Sequence, residues 1–250
     1  MTLEACARLV ERGDPDRFRV AMAAPPAARE ALFPLYAFNL EVARAPWVTK
    51  EPLIAEMRLQ WWRDTVAEAG AGAPPRAHEV AGPLGRLIQS RHLDVRPLEA
   101  LVEARRRDID ARPLGMGELL DYLRGTAGGL MRTTCAALGE DAEEADQAGL
   151  AGGAAAWLMA LPDLESRGRG LLDPTPDAVR SLAEAGLAAL ALARERRFSS
   201  AVPALRAAFL ARPILAHAAR EPRAAFDRRL APPEGIKRAR LLWLALRRTW

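Results

Sequence analysis

Apolar residues recur along this chain at helical spacing, and Pro and Gly punctuate them. Leu53, Ile54, Met57, Trp61 and Trp62 form one such stripe, opened by Glu51-Pro52 and closed near Gly70. The same reading along the chain predicts about ten helices, over 3–12, 27–44, 51–70, 79–91, 96–111, 117–138, 143–161, 176–197, 202–220 and 235–249. No strand-like alternation persists, and no repeat of domain-building length stands out. The pattern predicts an all-α fold, with residues 1–250 as a single domain.

Composition strengthens that reading. Ala fills about a fifth of the chain, while Ile, Val and Thr number 5, 10 and 8. Ala, Leu, Arg and Glu lose little on entering a helix, and β-branched residues are too few for a large sheet. With 250 residues, 50% hydrophobic and 27% charged, the chain can bury a sizeable core. Two cysteines, Cys6 and Cys135, make no disulfide scaffold and no metal motif. The first residues carry acids and no long apolar stretch, so no signal peptide is expected. The longest apolar run, 150–162, is too short to span a bilayer. A cytoplasmic, reducing location follows as the expectation.

Charge changes the picture little. The net charge is +4, and 34 of the 36 basic residues are Arg. Arg is spread along the chain with no nucleic-acid motif, so no nucleic-acid partner is expected. His78, His92 and His217 stand far apart and read as surface or packing residues. Ala127-Gly128-Gly129 reads as close helix packing rather than a phosphate cradle, and no Gly-rich nucleotide loop is present.

Two stretches carry more. They are Leu32-Phe33-Pro34-Leu35-Tyr36-Ala37-Phe38-Asn39-Leu40-Glu41-Val42-Ala43-Arg44 and Leu59-Gln60-Trp61-Trp62-Arg63-Asp64. They are followed in order by 101–109 with Asp108, Leu119-Leu120-Asp121-Tyr122 with Ala127-Gly128, and 149–172 ending Gly168-Arg169-Gly170-Leu171-Leu172. In order and spacing this series resembles the squalene/phytoene synthase family. The resemblance implies the isoprenoid-synthase helical fold. It also implies enzymes that join two prenyl diphosphates head to head, with Mg²⁺ neutralising the departing diphosphate between two acidic helices.

The chain departs from the family where that chemistry is carried. The first acidic cluster, Asp at i, i+1 and i+4 of one helical face, is replaced by Ala43, Arg44 and Trp47. On the second helix Ala160 and Leu164 stand where the family has Asp. Glu41 and Asp163 are the nearest residual acids, with Glu165 close by. Paired acids bind divalent ions far better than one carboxylate per helix beside Arg44. Accordingly no catalytic residue, metal ligand or cofactor is assigned, and Mg²⁺ enters only if an active prenyltransferase is the alternative. Arg44 could also hold a diphosphate without metal.

Tyr36, Arg63, Asp64, Asp108, Tyr122 and Arg169 are the remaining pocket candidates. A packed core aromatic or an interhelical ion pair is the competing role for each. Trp61 and Trp62 are adjacent, so one of them is expected in the core.

The run from Arg17-Phe18 through Trp61-Trp62-Arg63 resembles most the non-catalytic phytoene-synthase-like assembly factors of respiratory complex I. That resemblance implies a protein assisting assembly of NADH:ubiquinone oxidoreductase at the inner membrane, with complex I subunits as partners. A non-catalytic isoprenoid or lipid carrier is the further alternative. The basic amphipathic C-terminal helix, 235–250, suits either peripheral contact with an anionic membrane or docking with a solvated basic face.

Overall fold

The computed structural model describes residues 3–49 and 51–250. The chain opens with α1 (Leu3–Gly13), α2 (Pro15–Met22), α3 (Pro26–Arg44) and α4 (Pro52–Gly70). It continues through α5 (Ala81–Arg91), α6 (Arg96–Arg106), α7 (Met116–Leu123), α8 (Gly129–Ala137), α9 (Glu144–Glu165) and α10 (Pro176–Glu195). The last elements are α11 (Val202–Leu205), α12 (Ala211–Arg220), α13 (Arg223–Phe226) and α14 (Glu234–Leu246). Among the described residues there is no strand, only one parallel bridge between Leu114 and Leu171 that ties the exit of α9 to the start of α7.

Several boundaries differ from the sequence expectation, each for a physical reason. Gly13-Asp14-Pro15 is a stop and a restart: Asp14 accepts from the Arg17 backbone N–H at 2.9 Å and caps α2, with Pro15 in its first turn. The helix expected over 117–138 is divided by a wide turn at Arg124–Gly128, which widens the spiral by one residue between α7 and α8. Pro162 does not end α9, which runs on to Glu165. The 202–220 segment splits into α11, a tight 3₁₀ turn and α12.

The stripe on α4 also differs. Ala55, Leu59, Trp62, Val66 and Ala69 face the core, at a spacing of three or four residues. Leu53, Ile54 and Met57 are exposed instead. Trp62 is the core member of the adjacent pair, set edge-on to Phe38, while Trp61 is half-buried against His78. His78 accepts through Nδ1 from the Val80 and Ala81 backbone N–H groups and so caps α5.

α9 is the central helix, packed against α8, α10 and α12. Its small residues let neighbours approach closely. A Cβ at Gly149 would overlap the carbonyl oxygen of Ala127, and one at Gly153 would lie 2.7 Å from the Ala127 methyl. The Arg124–Gly128 turn therefore rests directly on α9, backbone to backbone.

Candidate functional site

An apolar cavity of about 180 Å³ lies inside the helical bundle. It lies between Tyr36 of α3, the small-residue face of α9 (Gly149, Gly153, Ala156), Met131 of α8, and the 207–211 turn that includes Phe209. The start of α2 closes one end through Asp14, Asp16 and Arg17. Its walls are mostly apolar, and the charges at that end are neutralised locally. Arg17 bonds Asp14 at 3.1 Å, while Asp16 holds Arg19 at 2.8 Å and Lys237 at 3.2 Å.

One polar atom in the cavity lacks a partner. The Tyr36 side chain is 2% exposed, and its hydroxyl makes no hydrogen bond among the described residues. Arg17 sits over its ring at 5.6 Å. Burial raises the phenol well above its ordinary pKa, with Arg17 opposing, so the group stays a neutral hydroxyl.

The other expected residues lie elsewhere. Asp108 follows α6 in a 3₁₀ turn, where it accepts from the Tyr122 hydroxyl at 2.8 Å and from Arg105 at 3.1 Å. Arg105 also bonds the Tyr122 oxygen, and Arg169 donates to the backbone carbonyl of Asp108. Asp108, Tyr122 and Arg169 are thus brought together, but as a bonded cluster beside the cavity. Burial, reinforced by Asp108 and opposed by Arg105, raises the Tyr122 phenol. Arg63 and Asp64 are not part of it: Arg63 pairs with Glu103 at 3.3 Å on an exposed face, and Asp64 accepts from Gln60 at 2.7 Å.

The positions where the resemblance places Asp offer few oxygen donors for a metal. Trp47 lies just past the end of α3, its ring covered by Arg169 at 4.3 Å and Arg167 at 5.3 Å. The Arg44 guanidinium lies against Gly13 at the end of α1. Ala43, Ala160 and Leu164 offer no oxygen ligand. Asp163 is held by Arg228 in a bidentate pair at 2.6 and 3.0 Å, and Glu165 accepts from the Leu171 N–H at 2.8 Å. Glu41 borders a separate shallow pocket with Arg58, Trp61, Trp62 and His78. Among the described residues no three His, Cys, Asp or Glu side chains gather as a metal-holding group. This donor set does not fit a Mg²⁺ cluster.

Sequence reasoning missed the contribution of α2 and of residues 207–211 to the cavity. The Asp-Pro cap signal could have located α2, whereas nothing local marks the 207–211 turn.

The family model for squalene/phytoene synthase matches residues 10–233. The chain belongs to the squalene/phytoene synthase family. A dehydrosqualene synthase solved with a ligand superposes with a TM-score of 0.82 at 14% identity, covering 98% of this chain and 95% of that one. The squalene synthase HpnC from Alicyclobacillus acidocaldarius gives 0.73 at 20% identity, over 88% and 93% of the two chains. At these identities the likeness establishes the squalene/phytoene synthase fold alone.

Sequence relatives in the family carry a different name. Human NADH dehydrogenase (ubiquinone) complex I, assembly factor 6 is 30% identical over 167 residues, which is 65% of this chain and 50% of that protein. The Drosophila melanogaster homolog is 31% identical over 166 residues, 63% and 50%. The chain spans about half the length of these relatives. As in the sequence reading, no helix among the described residues is long and apolar enough to cross a membrane.

Proposed function

We propose that this family member does not catalyse prenyl transfer and instead assists assembly of respiratory complex I, working on the cytoplasmic side of the inner membrane. The observation that carries the reading is the donor set at the two helix ends. Ala43, Arg44, Trp47, Ala160 and Leu164 supply no carboxylate, and Arg167 and Arg169 cover Trp47 where an acid would be needed. A departing diphosphate would find cationic side chains there but no paired acids to gather Mg²⁺. The name borne by the relatives, complex I assembly factor 6, supports the role.

An assembly role requires a surface for a protein partner. The turn from α3 into α4 offers one, with Trp47, Val48, Leu53, Ile54 and Met57 exposed within a short segment. Acids and bases are mixed around it, through Glu51, Glu56 and Arg58, as at the rim of a protein–protein contact.

Deleting the gene should lower assembled complex I and leave isoprenoid levels unchanged. The purified protein should release no pyrophosphate from farnesyl or geranylgeranyl diphosphate with Mg²⁺. Turnover to a C30 or C40 product would overturn the proposal, as would normal complex I in the deletion strain.

A second reading, a non-catalytic lipid or isoprenoid binder, is favoured by the cavity and the unpartnered Tyr36 hydroxyl. At about 180 Å³ the cavity is smaller than the roughly 300–1,000 Å³ of most ligand sites. A whole prenyl chain would require it to widen.

A further inference from the structure

A helix docked on the outside of a globular domain ordinarily turns its apolar face inward and a polar face to water. α14 does otherwise. Leu241 and Leu244 are buried, and the docked side is further fixed by Lys237 on Asp16 and by Arg240 donating to the Phe209 carbonyl at 2.6 Å. On a helical wheel the opposite side, about 180° away, carries Ile236, Ala239, Leu242, Trp243 and Leu246. Its four large members are 53–75% exposed. The outward face is therefore an apolar ridge, not the solvated basic face that the sequence left open.

Arginines flank this ridge and lack acidic partners. Arg238 stands on one shoulder, and Arg247 on the other, stacked on Trp243 at 5.1 Å. Arg194, Arg206 and Arg212 lie beneath the same end of the helix. Arg206 is 4% exposed and donates to the Thr249 carbonyl at 2.9 Å, while Arg194 sits over the Trp250 ring at 5.4 Å. None of these arginines forms an ion pair among the described residues. Burial lowers the pKa of Arg194 and Arg240, and the neighbouring Arg212 charge lowers both further, so the cluster is self-repelling. Elsewhere arginines are matched closely, as in Arg17–Asp14, Arg76–Glu68 and Arg228–Asp163.

An apolar ridge with uncompensated guanidinium groups on its shoulders has a specific complement. We infer that α14 is a docking surface for an anionic lipid bilayer, with Leu242, Trp243 and Leu246 entering the acyl boundary and the shoulder arginines Arg238 and Arg247 engaging lipid phosphates. Such helices lie in the interfacial plane, apolar ridge inward and arginines at headgroup level. A second copy of the chain is a poor occupant, because a twofold contact would bring the same unpaired arginines face to face. The α3–α4 patch differs, since both signs of charge surround it. The inference does not rest on the assembly role: a factor working in solution would fail the following test and still keep its complex I phenotype.

The test uses the purified full chain with phosphatidylcholine vesicles, with and without phosphatidylglycerol, by cosedimentation at low and high salt. Wild type should partition onto the anionic vesicles at least about tenfold better than onto neutral ones, with salt weakening the binding. The exposed pair Leu242→Glu with Leu246→Glu should lower that partition by about tenfold or more while circular dichroism stays unchanged. Arg238→Gln with Arg247→Gln should abolish the preference for anionic lipid, and this pair decides the matter if the first variant misfolds. Equal binding to both vesicles, no binding to either, or binding indifferent to both variants would overturn the inference. So would a dimer in solution that the Leu variants dissolve without any vesicle binding.

Discussion

The guanidinium of Arg169 lies 4.3 Å from the centre of the Trp47 ring and also donates to the Asp108 carbonyl. Through these two contacts the exit of α9 is joined to the end of α3 and to the turn after α6. The junction occupies the place where the family resemblance puts facing acids, and it is held by stacking and hydrogen bonding.

Trp47→Ala should therefore cost stability although the ring is half in water. Each exposed cation–π contact is worth about 0.5–1 kcal/mol, so losing those to Arg167 and Arg169 should cost about 1–2 kcal/mol by urea denaturation. Trp47→Phe should recover part of it. An unchanged midpoint in Trp47→Ala would mean that the stacking carries no energy.

Tyr36→Phe should be neutral or stabilising. The hydroxyl is buried without a partner, and an unsatisfied buried donor costs about 1–3 kcal/mol. Removing it should raise the melting temperature by anything up to about 10 °C. A clear loss of stability would reveal a partner for that oxygen in solution.

Gly149→Ala should destabilise by about 3 kcal/mol, at the upper end for an overpacked core. The added methyl meets the Ala127 carbonyl and the Gly128 Cα, both backbone atoms that cannot rotate away. By contrast Gly117→Ala, with open space around it, should have no such penalty.

Asp146 gives a pH dependence. Burial, aided by Glu143 and Asp141 and opposed by Arg132, raises its carboxyl to about 6. The folded value lies above the unfolded one of about 3.9, so folding favours the protonated form. The cost of keeping it ionised is absent below about pH 4, grows between about pH 4 and 6, and is complete above that range. With a third of the side chain in water, Asp146→Asn should stabilise the protein by about 1 kcal/mol near pH 7 and not at all near pH 4. Denaturation curves at the two pH values measure the difference; an equal effect at both would remove the titration argument.

Much of the fold was legible because local signals agreed with packing. α3, α4 and α10 open on Pro residues and carry apolar periodicity, so they fall close to their expected limits. α2 was legible too, in Asp14-Pro15, but the dipeptide reads equally as the close of α1. The widened Arg124–Gly128 turn was not legible, because its cause is a helix some twenty residues away in sequence that supplies Gly149. On α4 the apolar count was right and the facing wrong for Leu53, Ile54 and Met57, since periodicity gives a stripe without saying which of two neighbouring stripes is covered.

The candidate site was legible in part. Tyr36, one of the pocket candidates, does border the cavity. Asp108, Tyr122 and Arg169 meet one another because α6, α7 and the exit of α9 converge, a relationship that no local sequence window contains. Arg63 and Asp64 fall on the outer side of α4 once Leu59, Trp62 and Val66 are turned inward.

The resting of the Arg124–Gly128 turn on Gly149 has a consequence for the hollow beside it. On that side two main chains touch with no side chain between them, so exchange of residues there moves a whole helix or fails. The bore can be tuned from the walls that carry side chains, such as Tyr36, Met131 and Phe209, while its presence is set by the contact of two main chains.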